Sequence, residues 1–501
     1  MDPILVTALM IVTIYMILFY IENRKPKRYP AGPVRFPFVG NFPQLLWKRL
    51  VNKRLRHEIY QDYAKDYGSM FSLKFGPYNC VVLNDPKLIK EAWNNYQLCG
   101  RPKLSGSSVR TGGTVRGILF QDGLEWIEQR RFALRHLRDF GFGKKSMEHL
   151  VLDEISELVE NLKKDAGRPI STQNRFNIAV LNSLWRIVSG QRFSHDDKQL
   201  GNIMESINNS LNAPAMGLMF FFPWIKDFAP NVIGWNKYVE VVLVATNFVS
   251  KYVKERLQVL TVQEEPQDFI DVYINEIKTT GDAHSSFYGK RGEETMVGTL
   301  LDLFVAGAET TSTTLTYFFL YMALFPEKQG KVAEEIERIV GSRHPMLNDR
   351  DSMPYTEATI METLRFSSMV PLGIFHRALE DTELGNQVIP KDTFVVANFA
   401  TVHRSPEIWS DPDNFRPERF LSEDGLGVIK NDSLMPFSYG KRLCLGESLA
   451  KDELFLFTTS LLQQFSVGPD PTCATPLTSE QICANIISHP KPHNLVFSLR
   501  N

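Results

Sequence analysis

Cysteine is scarce in this sequence: five residues in 501, at positions 80, 99, 444, 473 and 483, with no C-x-x-C pair among them. That excludes a disulfide-stapled fold and a zinc site of ordinary spacing, and it suits a reducing compartment. An excess of one charge is also missing. Lys and Arg number 56 against 57 Asp and Glu, a net charge of −1, which gives no basic surplus for nucleic acid. There is no long Ser/Gly-rich or charge-block linker, no internal repeat and no low-complexity tract. Length alone would allow roughly three domains, yet one large body fits an uninterrupted chain better.

What is present begins at the N-terminus. Pro3 to Ile21 is a 19-residue run without charge, long enough to cross a hydrocarbon core of about 30 Å as a helix. An acidic Asp2 stands where a signal peptide has its basic region, and no small-residue cleavage site follows, so residues 1–22 are expected to be a retained anchor. Arg24, Lys25, Lys27 and Arg28 come next, and the positive-inside rule leaves the body on the cytosolic side. Prolines 30, 33 and 37 prohibit a continuous helix, so residues 23–41 are expected to be a basic, Pro-rich hinge and residues 42–501 the body.

Within the body a strand pair is expected around Met70 to Leu83 with Gly76-Pro77 as its turn. Helical patterns then dominate. They run from about Glu293 to Phe325, stopped by Pro326, from Glu327 to Gly341, from Tyr355 to Ser367, and from near Cys444 to about Phe465. Short strands and turns fill the stretch past Arg377. The fold class is mainly α with a small β portion.

The segment Phe437-Ser-Tyr-Gly-Lys-Arg-Leu-Cys-Leu-Gly446 fits the pattern F-x-x-G-x-R-x-C-x-G at every fixed position. A thiolate that ligates iron needs a turn presenting sulfur to the metal, backbone N–H groups beside it, and little bulk nearby. On this reading Gly440 and Gly446 remove bulk, Phe437 shields the sulfur, and the start of a helix at Cys444 favours the thiolate. An isolated cysteine is usually an inert buried thiol, as the other four are expected to be; the surrounding pattern reverses that for Cys444.

With this motif the sequence resembles the cytochrome P450 superfamily of haem-thiolate monooxygenases, from about Tyr29 to the C-terminus. The resemblance implies a helix-rich haem domain with a small β-rich region, and haem b held by Cys444 as the metal ligand. Arg442 would pair with a haem propionate. Ala306-Gly-Ala-Glu-Thr-Thr311 sits midway along the long helix, where a Gly costs ~1 kcal/mol relative to Ala. In the family Gly307 opens a groove for O2, while Glu309 and Thr310 handle protons. The bland alternative has Thr310 bonded back to a helix carbonyl and Glu309 as a surface charge. Glu362 and Arg365, with Arg419 of Pro417-Glu-Arg-Phe420, match the family's structural triad, which fixes the loop before the cysteine. Trp126 and Arg130 stand one helical turn apart, so both reach one propionate. Arg101 and His376 fall where relatives place further propionate contacts.

Arg131, Arg135 and Arg138, followed by Lys144 and Lys145, form a basic stripe. Such stripes are commonly only solvated faces; here the resemblance makes it a docking surface for an acidic flavoprotein reductase. The chain has no G-x-G-x-x-G fingerprint and no flavin domain, so electrons from NADPH must come through that separate reductase, with cytochrome b5 as an additional partner. Substrate choice falls to the segments 103–120, 211–227, 301–305, 370–375 and 485–488. Leu218-Met-Phe-Phe-Phe-Pro-Trp224 is either helix-packing core or a lipid-facing channel. The expected substrate is lipophilic, a steroid, fatty acid or terpenoid derivative or a xenobiotic, hydroxylated or epoxidised at the endoplasmic reticulum membrane. The sequence around Gln129 to Gly143 is similar to the microsomal group of vertebrate drug and steroid hydroxylases and arthropod hormone-processing enzymes. Two rivals stand beside this: a haem-thiolate isomerase or synthase, which needs no Glu309-Thr310 relay, and a non-enzymatic haem-based sensor or carrier.

Overall fold

The uncharged first segment forms helix α1 (Pro3–Asn23), capped by the Asp2 carboxylate on the Ile4 N–H and long and apolar enough to cross a membrane. This computed structural model describes residues 2–142, 147–211, 216–260, 265–473, 475–483 and 486–500. None of the described residues of α1 is buried against the body. Its last turn is held: Asn23 Nδ2 donates to the Arg35 carbonyl and Asn23 Oδ1 accepts the Arg35 N–H, both at 2.9 Å, and Glu22 pairs with Lys74. The Pro-rich stretch lies along the first strand of the body, where the Ser72 N–H donates to the Ala31 carbonyl at 2.7 Å.

After α2 (Phe42–Leu50) and α3 (Arg56–Tyr67), strands β1 (Met70–Phe75) and β2 (Tyr78–Leu83) pair antiparallel around the expected Gly76-Pro77 turn. Next come α4 (Pro86–Asn94), α5 (Gly123–Asp139), α6 (Glu148–Lys164), the short β3 (Pro169–Ser171) and α7 (Asn177–Ser189). They are followed by α8 (Lys198–Leu211), α9 (Met216–Phe221), α10 (Trp235–Val259) and α11 (Phe269–Thr279). The body is then threaded by α12 (Gly289–Leu324), 36 residues or about 54 Å long. Pro326 takes the first position of α13 (Pro326–Ile339), because a proline cannot continue α12 but is pre-shaped to open a helix. The set closes with α14 (Pro354–Ser367), α15 (Phe399–His403), α16 (Pro406–Trp409) and α17 (Glu447–Gln464).

The remaining strands are short. β4 (His376–Arg377) and β7 (Phe394–Ala397) extend the first hairpin into a sheet of order β1-β2-β7-β4, with β2 and β7 parallel, while β5 (Thr382–Leu384) and β6 (Gln387–Ile389) pair alone. β8 (Phe465–Pro469) and β11 (Asn494–Leu499) join β3, and β9 (Gln481–Cys483) pairs with β10 (Ser488–Pro490). The expected mainly-α architecture with small β regions is therefore what the chain adopts. The largest apolar core surrounds α12, which packs against α7, α10, α14 and α17.

The loop ahead of α17 is set by three charges. Glu362 and Arg365, both fully buried on α14, meet at 2.7 and 2.8 Å, and Arg419 reaches the same carboxylate at 3.1 Å. Arg365 donates to the carbonyls of His403 and Pro412, and Arg419 to those of Trp409, Asp411 and Asn414. His403 carries the contact onward, since its Nε2 accepts the Met435 N–H at 2.9 Å, at the start of the cysteine segment. Replacing Glu362 by Gln leaves two buried guanidinium groups short of charge and is expected to cost about 3–5 kcal/mol, read from the urea midpoint.

Burial, with nearby Arg365 and Arg404, depresses the His403 imidazole to about 3, and burial does the same to His57. Both are neutral in the folded chain, whereas the unfolded chain takes up protons near 6.5. Their stabilisation is complete above pH 6.5 and is lost as pH falls toward 3. His403→Gln is expected to flatten that acid dependence, measured as unfolding midpoints across the same pH range.

Candidate active site

Cys444 follows a loop that needs left-handed backbone at Ser438 (φ 68°) and Gly440 (φ 64°). A Cβ on Gly440 would strike the Trp93 carbonyl, so this glycine is required by the approach of α4 and not by the ligand side. Gly446 is the glycine beside the sulfur: a Cβ there would lie 3.9 Å from Cys444 Sγ. The Cys444 N–H donates to the Phe437 carbonyl at 2.9 Å, which closes the turn. Cys444 does not begin a helix as expected. α17 starts at Glu447 with Gly446 as its cap, so the thiol receives a local N–H from Gly446 instead of the field of a first helical turn.

The Cys444 side chain is solvent-accessible, yet burial pushes its thiol above the ordinary range, with Gly446 and Arg130 opposing. Both facts hold together when the sulfur opens onto an internal space. α12 shows the same signature. Within a buried run of that helix Ala306 is exposed and Val305, Gly307 and Thr310 are partly so, one accessible stripe in the middle of the core. Thr310 Oγ1 donates to the Ala306 carbonyl at 2.8 Å, which leaves its lone pairs open along that stripe. Glu309 is not a surface charge. It is 6% exposed, accepts from Asn177 Nδ2 at 3.1 Å and Thr313 Oγ1 at 3.3 Å, and burial raises its carboxyl. A Cβ on Gly307 would fall 2.6 Å from Leu184 Cδ2, so a larger residue here would require the Leu184 side chain of α7 to move.

Near the cysteine lies a group of cations. Arg442 is buried and donates to the carbonyls of Cys99 (2.9 Å) and Gln121 (2.8 Å), its guanidinium 3.6 Å from the centre of the Trp126 ring. Arg101 donates to Leu119 (2.9 Å) and Phe375 (3.2 Å). Arg130 donates to the Leu443 carbonyl at 2.6 Å, beside Cys444, and Trp126 Nε1 is buried without an acceptor. His376, on edge strand β4, donates from Nδ1 to the Leu98 carbonyl at 2.9 Å and stacks on Trp93 at 3.7 Å, which turns Nε2 away from that carbonyl. Carbonyls orient these guanidinium groups but do not neutralise them, and among the described residues none of the three arginines makes an ion pair with a carboxylate. Burial, aided by Arg101, pushes Arg442 down to about 8, and burial pushes Arg101 down to about 10.

This donor set fits haem. The soft thiol of Cys444 is of the kind that would take one position on an iron that arrives already chelated. Arg101, Arg442 and the orphaned Trp126 N–H are donors of the kind two propionates would need, whereas His376, neutral and with its one N–H spent on Leu98, would donate to a propionate only when protonated.

The profile of the family described as "Cytochrome P450" matches residues 30–497. The chain belongs to the cytochrome P450 family. A "Farnesoate epoxidase" of Bombyx mori is 35% identical over 461 residues, 91% of this chain and 92% of the relative. "Cytochrome P450 2J2" of Homo sapiens is 38% identical over 458 residues, 90% and 88% of the two chains, and "Cytochrome P450 2C8" of Homo sapiens 34% over 503 residues, 99% of each. This cytochrome P450 is accordingly an oxidoreductase, a haem-thiolate monooxygenase that uses O2 on a hydrophobic small molecule.

Several of its contacts carry no local sequence signal. Arg110 pairs with the buried Asp302, which also accepts the N–H groups of Ile118 (2.7 Å) and Leu119 (2.8 Å), tying the 105–120 segment to α12. Asn177 and His403 were likewise not singled out in the sequence. Met219, Phe221 and Phe222 are buried, Phe221 stacking on Phe75 at 4.7 Å, so most of the 218–224 run is packing core and Trp224 is its exposed end. Lys144, Lys145 and Asn485 lie outside the described residues. Arg442→Leu removes one cation from the cluster and is expected to weaken retention of a dicarboxylate group by about 2 kcal/mol, measured as the rate of haem loss.

Proposed function

We propose that this cytochrome P450 receives electrons from NADPH through a separate flavoprotein reductase, with cytochrome b5 as a further donor. The observation that carries this reading is the accessible thiol of Cys444 together with a cluster of arginines, Arg101, Arg130 and Arg442, none of which makes an ion pair with a carboxylate among the described residues. Bound there, haem supplies the chemistry that puts one oxygen atom of O2 into a C–H bond or an alkene. The residues of the chain do the rest. Arg101, Arg442, Trp126 and Arg130 would hold and orient the group, with His376 joining them if the bound dianion protonates it, and the Phe437 turn would aim the sulfur. Glu309, whose burial raises its carboxyl, holds a proton at neutral pH more readily than an exposed carboxylate. Thr310, with free lone pairs on the accessible stripe, accepts and passes it on, and Gly307 keeps that stripe thin.

Arg131, Arg135 and Arg138 are exposed on α5, the helix whose Arg130 touches the residue before Cys444. A reductase docked on that stripe therefore delivers electrons close to the thiolate side. The four basic residues after α1 support an endoplasmic reticulum anchor with the body in the cytosol. One relative is named for epoxidising farnesoate, and an unsaturated lipid or terpenoid acid is the first substrate class to screen, ahead of steroids and xenobiotics.

The expected result is a reduced carbon monoxide difference band at the red-shifted position of thiolate-ligated haem, lost in Cys444→Ser. Substrate-dependent NADPH consumption with added reductase should accompany oxygenated product. A Cys444→Ser protein that keeps the red-shifted band would refute the ligand assignment.

A further inference from the structure

Monooxygenation consumes protons in every turnover, and a buried carboxyl that gives one up must be reloaded. Glu309 stands at the head of a polar face of α12 that adjoins the accessible stripe: Glu309, Ser312, Thr313 and Thr316, at i, i+3, i+4 and i+7, all buried. Ser312 donates to Asn177 Oδ1, which fixes the amide so that Asn177 Nδ2 donates to Glu309. Two histidines near the C-terminus flank this face, His489 on β10 and His493 in the connection before β11. His493 Nε2 lies 3.0 Å from Thr172 Oγ1, but the next hydroxyl, Thr316, donates to backbone carbonyls of Thr172 and Ser312, so no side-chain chain continues to Glu309. His489, on β10, places Nδ1 3.9 Å from Glu309 Oε1 while its side chain is 23% exposed.

We propose that His489 is the proton entry to Glu309, carrying protons from solvent at the β9–β10 edge to the carboxylate. The inference rests on the reading of Glu309 as a proton-holding group. As Nε2 takes a proton from a hydronium ion in solvent, Nδ1 gives its own through a bridging water to the Glu309 carboxylate: an O–H bond breaks on the hydronium and an N–H bond forms at Nε2, while the N–H bond at Nδ1 breaks and an O–H bond forms on Glu309, the bridging water being regenerated. A ring turn or proton exchange with water then resets the tautomer. The gap is too long for a direct hydrogen bond and within reach of one bridging water. The groups facing the carboxylate are Asn177 from α7, Thr313 from its own helix and His489 from β10. Among the described residues His489 is the one basic side chain within 4.0 Å of it. Burial pushes His489 down to about 4, so at neutral pH it presents one N–H and one lone pair, the form this transfer needs.

The test uses haem-loaded protein with reductase and a turnover substrate, comparing wild type, His489→Gln, His489→Phe and Glu309→Gln. Both His489 variants are expected to form roughly tenfold less product per NADPH, with peroxide released instead and a larger solvent isotope effect, while retaining the red-shifted carbon monoxide band. Independently of turnover, the Glu309 carboxyl stretch in the infrared, identified by its loss in Glu309→Gln, should exchange into deuterated water more slowly in both variants. Wild-type coupling and wild-type exchange in His489→Gln and His489→Phe overturn the proposal. If Glu309→Gln itself leaves coupling unchanged, the Glu309 reading fails, and this inference with it. Should one variant fold poorly, the other decides.

Discussion

Everything that makes Cys444 usable depends on one buried carboxylate. Glu362 has no exposure and holds two guanidinium groups from segments more than fifty residues apart in the chain. A buried ion pair of this kind is weak as a source of net stability, because desolvation consumes most of its attraction. Its value is geometric. The two arginines spend their remaining N–H groups on carbonyls of residues 403–414, a stretch with little regular structure of its own, and convert it into a fixed platform. His403 then hands the position to Met435 through a single imidazole lone pair, nine residues ahead of the cysteine. The thiol is thus located by charge and hydrogen bonding across several loops, since no helix or strand spans that distance.

The second constraint is an electrostatic debt on the opposite edge of the site. Arg101 and Arg442 are buried and aimed by carbonyls, with burial lowering both, Arg101 adding to the effect on Arg442 and Arg130 to that on Arg101. A protein that only needed to fold would place an apolar residue or a carboxylate there. Asp122 is near, but its carboxylate is engaged by Arg377 at 2.6 Å and by the Arg101 backbone. A dianion bound there would relieve that tension, and the contact of the Arg442 guanidinium with the Trp126 ring, 3.6 Å from its centre, holds one of the two cations in place. Ligand retention and local rigidity have the same cause.

What could be read in the sequence was whatever has a fixed spacing. The F-x-x-G-x-R-x-C-x-G segment, the Glu362–Arg365 pair, the Trp126–Arg130 turn and the α12 stop at Pro326 are local patterns, and local geometry gave each its meaning. The misreadings came from tertiary neighbours. Gly440 looked like clearance for a ligand and is clearance for Trp93. Cys444 looked like the first residue of α17 and sits before its cap. Asn177, His403 and the Arg110–Asp302 pair were invisible because each partner lies tens to hundreds of residues away, and a hydrogen bond to a carbonyl leaves no trace in residue identity. The 218–224 run shows the limit of hydrophobicity as a signal: apolar character marks burial equally well against a sheet or a lipid, and only the position of Phe75 decides that Phe221 belongs to the core.

The division of α12 into two working faces follows from the same reasoning. Residues 305–307 and 310 form the accessible stripe, where an exposed Ala306 and a back-bonded Thr310 leave room and lone pairs. Glu309, Ser312, Thr313 and Thr316 lie on the adjoining face, turned toward α7 and the C-terminal strands, where a hydroxyl is tolerated only if bonded. Thr310 and Glu309 are adjacent in sequence yet about 100° apart around the helix, so they are not one hydrogen-bonded pair but two stations on adjoining faces of the helix. A proton passing between them must cross the helix edge, through water or a small movement of the Glu309 carboxyl. Burial raises that carboxyl without fastening it to a cation, and a side chain held by two modest hydrogen bonds is far freer to make such a movement than an ion-paired one.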